Sequence, residues 1–114
     1  MEGKILTAVK AAAKKPVTNC EAGEVRAAFA ALADAQWGVC NLPAAKAAMA
    51  AYAPLDDRIM EARELLRAGQ RGGIHRSAYS GTEAEARRAR GLAALPVLMA
   101  EIEACAAMMD AATA

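Results

Sequence analysis

The chain has 114 residues, a net charge of +1 and an apolar content of 56%, and 33 of its residues are alanine. This length corresponds to one domain, and the composition excludes a disordered tail, a collagen-like repeat and a disulfide scaffold. Aromatic residues make up only 4% of the chain, and alanine is the best helix former, so the composition predicts an all-α fold.

The first two predicted helices are separated by Pro16. The first helix covers residues 3–15 and ends before that proline, which cannot continue a helix. Residues 18–21 (Thr-Asn-Cys-Glu) match a capping box, which predicts that the second helix opens there and runs to Gly38. The apolar face of the first helix consists of Ile5, Leu6, Val9 and Ala13.

The next two predicted helices flank Pro54. Residues 43–53 form an alanine-rich helix in which Met49 and Tyr52 are the only large apolar side chains, so this helix can approach a neighbour closely. The fourth helix runs from 56 to 68. Its core stripe, at helical spacing, is Leu55, Ile59, Ala62 and Leu66.

The fifth predicted helix begins at a second capping box, residues 82–85 (Thr-Glu-Ala-Glu). We expect Pro96 to kink or break it, because proline removes a backbone donor and clashes with the preceding turn. The sequence thus predicts a single domain over residues 1–114, a compact bundle of five or six alanine-rich helices. The core stripe of the last helix is expected to be Leu92, Leu95, Met99, Ile102, Ala106 and Met109.

A Gly/Arg-rich loop at about 69–81 stands out as a candidate binding segment. Long loops between helices are often functional or mobile, and this one leads into a helix start, where free N–H groups favour anions. Glu83 and Glu85 lie at the same helix start and would repel an anion, which favours a flexible, solvated connector. The loop side chains that would bind a phosphate, a nucleotide or an acidic partner are Arg71, His75, Arg76 and Tyr79.

Five further arginines are candidates for a basic patch next to this loop. Arg88 continues the apolar stripe of the last helix. Either the first turns of that helix project beyond the core, or Arg88 lines a buried polar site with a carboxylate partner. A register change at Gly91 or Pro96 would also explain its position. Projection beyond the core is the simpler alternative for Arg88. The other four arginines are expected to lie on a solvated helix face, as such residues usually do. The five are Arg63, Arg67, Arg87, Arg88 and Arg90.

Metal binding and catalysis have little support in the sequence. Cys20, Cys40 and Cys105 are far apart, and His75 is the only histidine, so we expect reduced thiols in a cytoplasmic protein, with no metal and no cofactor. No paired carboxylates or nucleophile–base pair suggest an enzyme; a His75-based activity is the residual alternative. We see neither a signal peptide nor a membrane span and expect no membrane partner.

These observations favour a small non-enzymatic interaction protein, an inhibitor or adaptor that binds a larger protein complex. One version is a phage-type inhibitor of a host defence complex, in the manner of anti-CRISPR proteins. The alternative is a binder of a phosphorylated small ligand or nucleotide through residues 69–90. A second alternative is a helix-turn-helix that reads DNA, but Asp56 and Asp57 would face the phosphates. Because alanine supplies little core volume, we also expect a homodimer.

Overall fold

The structure, a computed structural model, describes residues 2–69 and 79–114. These residues form helices and no strands, which confirms the all-α prediction. The number of helices was overestimated: four have ten residues or more, and a short helix, α3, has seven. The helices are α1 (Lys4–Ala13), α2 (Gly23–Val39), α3 (Lys46–Tyr52), α4 (Leu55–Leu66) and α5 (Gly81–Thr113).

Two prolines account for the lower count. Pro43 starts a 3-10 turn, Pro43–Ala45, so that regular α-helix follows only from Lys46. Pro96 lies inside α5 without ending it, which corrects the expected break. The Pro96 side chain is exposed, and the carbonyl of Leu92 that loses its hydrogen bond lies on an exposed turn, where water can satisfy it.

The core is built around α5, which is about 50 Å long and packs against each of the other helices. Its buried side chains meet large apolar groups of α1, α2 and α4 and small ones of α2, α3 and α4. Phe29 and Tyr52 stack at the edge of this core, with ring centroids 5.5 Å apart. The largest fully buried side chains are Leu32, Leu55, Ile59, Leu98, Ile102, Met109, Val9 and Cys105.

The rotation of α5 about its axis differs from the prediction at Leu92, which is 60% exposed. Gly91 faces α4 instead: a Cβ atom there would lie 3.0 Å from Leu66 Cγ and 3.1 Å from the Ala62 carbonyl oxygen. Helix α5 therefore places Gly91, and not Leu92, where it packs closely against α4. Leu95 and Met99 of the predicted stripe are half-buried, whereas Ile102, Ala106 and Met109 are buried.

Neither predicted capping box forms. Helix α2 begins at Gly23 after Ala22, whose φ of 60° is left-handed, and α5 begins at Gly81 after Ser80; neither flanking residue makes a side-chain capping bond. The chain before α2 folds back on its first turn, where the Val17 amide donates to the Gly23 carbonyl oxygen at 3.1 Å.

The cap of α1 comes from the far end of the chain. The backbone amides of Ile5 and Leu6 donate to the two carboxylate oxygens of Asp110, each at 2.9 Å. An anion at a helix N-terminus satisfies open N–H groups and interacts favourably with the helix dipole. Asp110 thereby ties the start of α1 to the last turn of α5.

Candidate functional site

Arg63 of α4 and Arg67, the residue that directly follows α4, converge on a single carboxylate. The Glu21 oxygens lie 3.1 Å from Arg67 Nε and 3.9 Å from an Arg63 terminal nitrogen. Its own backbone N–H and Arg67 lower the pKa of Glu21, and Glu21 in turn raises the pKa of Arg67. All three side chains are about three-quarters buried. The arrangement holds the loop before α2 against α4, and Glu21 already neutralises much of the positive charge there.

Arg88 does not project into solvent, and no carboxylate partner of Arg88 occurs in the described part of the chain. Its guanidinium donates to the backbone carbonyl of Ala68, just beyond the end of α4, and the side chain is half-buried. Gly69, with φ of +86°, leaves room for it: a Cβ there would collide with Arg88. A cation at this position satisfies an open carbonyl and complements the negative end of the helix dipole.

The remaining described candidates lie near the start of α5. The Arg87 guanidinium carbon lies 3.7 Å from the centre of the Tyr79 ring, and its Nε lies 3.9 Å from a Glu83 oxygen. The cation–π contact holds Tyr79 against the first turns of α5. Arg90 is exposed, and no ion pair of Arg90 occurs within residues 2–69 and 79–114.

The structure therefore brings the predicted residues together in pairs. Arg63 meets Arg67 on Glu21, and Arg87 meets Tyr79. The predicted loop sites Arg71, His75 and Arg76 lie outside the described residues, as does most of the loop at 69–81, so the binding prediction for that segment stays a prediction.

Chemically reactive groups are dispersed in the described part of the chain. No group of three His, Cys, Asp or Glu side chains there has the arrangement of a metal site. Burial raises the pKa of the Cys105 thiol to about 11, and this thiol lies 3.4 Å from the carbonyl oxygen of Ala48. Cys105 is therefore a core residue with a protonated, unreactive thiol at neutral pH.

The feature that sequence analysis missed is the solvent side of α5. Between residues 92 and 111 every residue in the exposed class is apolar, and these positions lie about half a turn around the helix from the buried stripe. The side chain of Glu101, 40% exposed, lies to one side of them against Arg58. Leu92 is 60% exposed, Val97 51% and Met108 36%. We call this surface the outer face of α5; it consists of Leu92, Ala93, Pro96, Val97, Ala100, Ala104, Ala107, Met108 and Ala111.

Two of the three acidic residues of this stretch bind groups of their own chain. Glu101 pairs with Arg58 of α4, Asp110 caps α1, and Glu103 is half-buried. No charged side chain lies among residues 91–100. The nine residues of the outer face of α5 thus carry no charge over roughly 30 Å of helix, and the half-buried Glu103 lies beside them.

A cleft of about 520 Å³ adjoins this face. It lies between the first turn of α2 and the middle of α5, and Pro96 belongs to both the cleft and the outer face. Glu24 is the only charged residue in its lining, and the volume is that of a pocket for a small molecule or a large side chain. The lining residues are Ala22, Gly23, Glu24, Val25, Leu95, Pro96 and Met99.

A signal for the outer face is present in the sequence. Residues 91–100 (Gly-Leu-Ala-Ala-Leu-Pro-Val-Leu-Met-Ala) are apolar all around the helix, so one stripe could enter the core while the other was left without a partner. The prediction considered only the stripe with the larger side chains. Among the described helices α5 is also the one long and apolar enough to span a membrane, a test that core helices of soluble proteins pass as well.

Comparison with known proteins gives no relative. The chain matches no family model, no curated protein and no solved structure.

Proposed function

We propose that this protein is a non-enzymatic interaction protein that acts as an adaptor or inhibitor by binding another protein. The single observation that carries the proposal is the outer face of α5, where nine apolar residues stand exposed in a strip along one side of the helix. They present on the order of 500 Å² of apolar surface, within the range of the largest apolar patch of a soluble monomer, which often has a binding role.

The chemistry of the strip favours a protein partner. A phosphate-bearing partner would be held by cations, and no cation lies on the strip. A protein interface has an apolar centre and a polar rim. Arg90 and Glu85 are exposed at one end of the strip and supply such a rim.

Trp37 provides a second exposed apolar group, on a different helix. Its side chain is 78% exposed on α2 and points away from the buried Ala28 and Leu32. Tryptophan is the residue type most enriched at energetic hot spots of interfaces. Two separate apolar contacts, one on α2 and one on α5, suit an adaptor.

The phosphorylated-ligand alternative receives less support. It depends on arginines, and four of the five described candidates already engage Glu21, Ala68 or Glu83. An incoming phosphate at those positions would have to displace partners that the protein itself supplies.

Photo-cross-linking in cells of the protein's own source tests the proposal. A photoreactive residue replaces Val97 or Trp37 in separate variants, and the same residue at Ala47, exposed on α3, is the matched control. We expect covalent adducts with a different protein from position 97 or 37 and none from position 47. If neither position 97 nor position 37 gives an adduct with a different protein, the proposed function is refuted.

A further inference from the structure

We infer that the outer face of α5 pairs with the same face of a second copy of this chain, antiparallel and centred on Ala100. This inference rests on the proposed function, because it names the partner of one of the two proposed contacts. The exposed Trp37 of each copy then remains available for a different protein, so that the paired form carries two such contacts.

The spacing of the exposed residues is that of a helix-pairing seam. Counted along α5, the positions nearest the middle of the outer face alternate in steps of four and three, as a and d positions of a heptad do. The seam covers about 27 Å of helix. Its members are Ala93, Val97, Ala100, Ala104, Ala107 and Ala111, all of them exposed.

Small side chains on the seam allow a close approach of backbones. Every seam residue except Val97 is alanine, so a facing helix can come near the lower limit of about 8 Å between axes. The seam lies opposite the buried stripe that includes Leu98 and Ile102, so the body of the protein does not obstruct a second helix there.

An antiparallel arrangement makes the seam complementary to itself. Reversal about Ala100 places Ala93 level with Ala107 and brings Val97 within one residue of Ala104, about 1.5 Å along the helix axis, so the one larger side chain meets a small one. A parallel arrangement would set Val97 against Val97 and align the two helix dipoles unfavourably. The two-fold axis makes both copies use one identical surface, the commonest geometry of homodimers.

The residues beside the seam close the interface at its ends. Leu92 and Met108 lie on opposite flanks of the outer face, at the same distance from Ala100 along the sequence. Antiparallel pairing brings Leu92 of one copy level with Met108 of the other, so each end of the interface has apolar cover on both flanks. These two side chains are 60% and 36% exposed in the single chain.

Charge and area both permit such a pair. The seam itself has no charge, and the carboxylates of Glu101 and Asp110 are engaged within their own chain. The third nearby carboxylate, Glu103, is half-buried and interacts electrostatically with Lys10 of its own chain, which limits like-charge repulsion between the two copies. Pairing covers about 500 Å² on each copy, or about 1,000 Å² in total, which reaches the lower limit for a specific interface. We therefore expect a reversible dimer with a Kd on the order of micromolar.

Sedimentation equilibrium of the purified full chain tests the pairing. The variant Ala100→Glu places two carboxylates on the two-fold axis, and Ala47→Glu makes the same substitution at an exposed helical position away from the seam. We expect the native chain and Ala47→Glu to dimerise, and Ala100→Glu to weaken the dimer by about 100-fold or more with an unchanged circular dichroism spectrum. A chain that stays monomeric up to roughly 500 μM, well above the expected Kd, would overturn the inference, and so would an equal effect of both variants.

Cysteine cross-linking tests the antiparallel register. In a chain with Cys20 and Cys40 replaced by serine, Ala100→Cys should form a disulfide between copies under a copper–phenanthroline oxidant. Ala93→Cys should cross-link only to Ala107→Cys. Cross-linking of Ala93→Cys to itself would show a parallel pair and overturn the antiparallel register.

The failure of this inference and the failure of the proposed function are distinguishable. A purified chain that is monomeric, but gives an adduct with a different protein at position 97 in cells, overturns the dimer and supports the proposed function. A monomer that binds phosphatidylcholine vesicles through the outer face, with binding lost in Ala100→Glu, overturns the dimer in favour of a membrane surface. A purified dimer without adducts to a different protein in cells supports this inference and refutes the proposed function.

Discussion

Removal of the Asp110 carboxylate should destabilise the fold although the residue lies only four positions before the last residue of the sequence. This carboxylate accepts two hydrogen bonds from the first turn of α1, each 2.9 Å long. Loss of an N-terminal cap costs about 1 kcal/mol, and loss of the favourable charge at the helix dipole costs up to about 1 kcal/mol more. We therefore expect Asp110→Ala to lower the free energy of unfolding by about 2 kcal/mol.

Asp110→Asn separates the two contributions. The amide keeps one oxygen that can accept a hydrogen bond but carries no charge, so the expected loss is about 1 kcal/mol. Urea unfolding followed by circular dichroism measures the free energy of unfolding of both variants. In thermal unfolding, the midpoint temperature of the alanine variant should lie roughly 8 °C below that of the native chain. Asp34→Ala, at an exposed carboxylate of α2, is the control and should change stability by less than about 0.5 kcal/mol.

Gly3 provides a test of the contact itself. A Cβ atom at Gly3 would overlap the Asp110 carboxyl group, so Gly3→Ala should displace the cap and cost about 1 kcal/mol in the native background. In the Asp110→Ala background the same substitution should cost nearly nothing, which gives a coupling of about 1 kcal/mol in a double-mutant cycle. The reasoning fails if Gly3→Ala costs the same in both backgrounds, or if Asp110→Ala is as stable as the native chain.

Gly91→Val should destabilise the protein by about 2 kcal/mol in urea unfolding, because the valine side chain would press on α4. Gly38→Ala, with open space around its Cβ, should instead stabilise it by about 0.5 kcal/mol. A Gly91→Val variant that is more stable than Gly38→Ala would contradict the contact between α4 and α5. Glu21→Gln should lower stability at pH 7 by about 1 kcal/mol. The fold lowers the pKa of Glu21 from 4.5, so the stabilisation is present above pH 4.5 and is lost as the pH falls through the pKa of the folded protein. The stabilities of the native chain and the variant should therefore converge in acid. A difference that stays constant with pH would argue against the ion pairs. Cys105 should resist a thiol reagent at pH 8 in the folded chain, because burial raises its pKa to about 11. The half-exposed thiols of Cys20 and Cys40 should react. Equal reaction rates for all three thiols would contradict the burial of Cys105.

The positions of the helices could largely be predicted from the sequence, and their ends could not. Pro16, Pro54 and the alanine content define where helices run, because these effects act through the local backbone. Helix α2 begins at Gly23 and not at the predicted residue 18. A capping box would use the Glu21 side chain locally, but Glu21 pairs with Arg67 at the end of α4.

The candidate site was missed for a related reason. Residues 91–100 are apolar on every side, so their spacing does not reveal which side faces the core. Gly91 decided it by fitting against Ala62 and Leu66 of α4, and that choice left Leu92 and Val97 in solvent. The outer face of α5 follows from this rotation.

By itself, the sequence determined an all-α chain, an alanine-rich last helix and a near-neutral charge, because these depend on composition and on residues close together in the chain. Only the tertiary structure decided how α5 is rotated, that Arg88 would bind the end of α4 and that Asp110 would cap α1. Each of these depends on contacts between residues at least 20 positions apart, whose geometry exists only once the helices have packed.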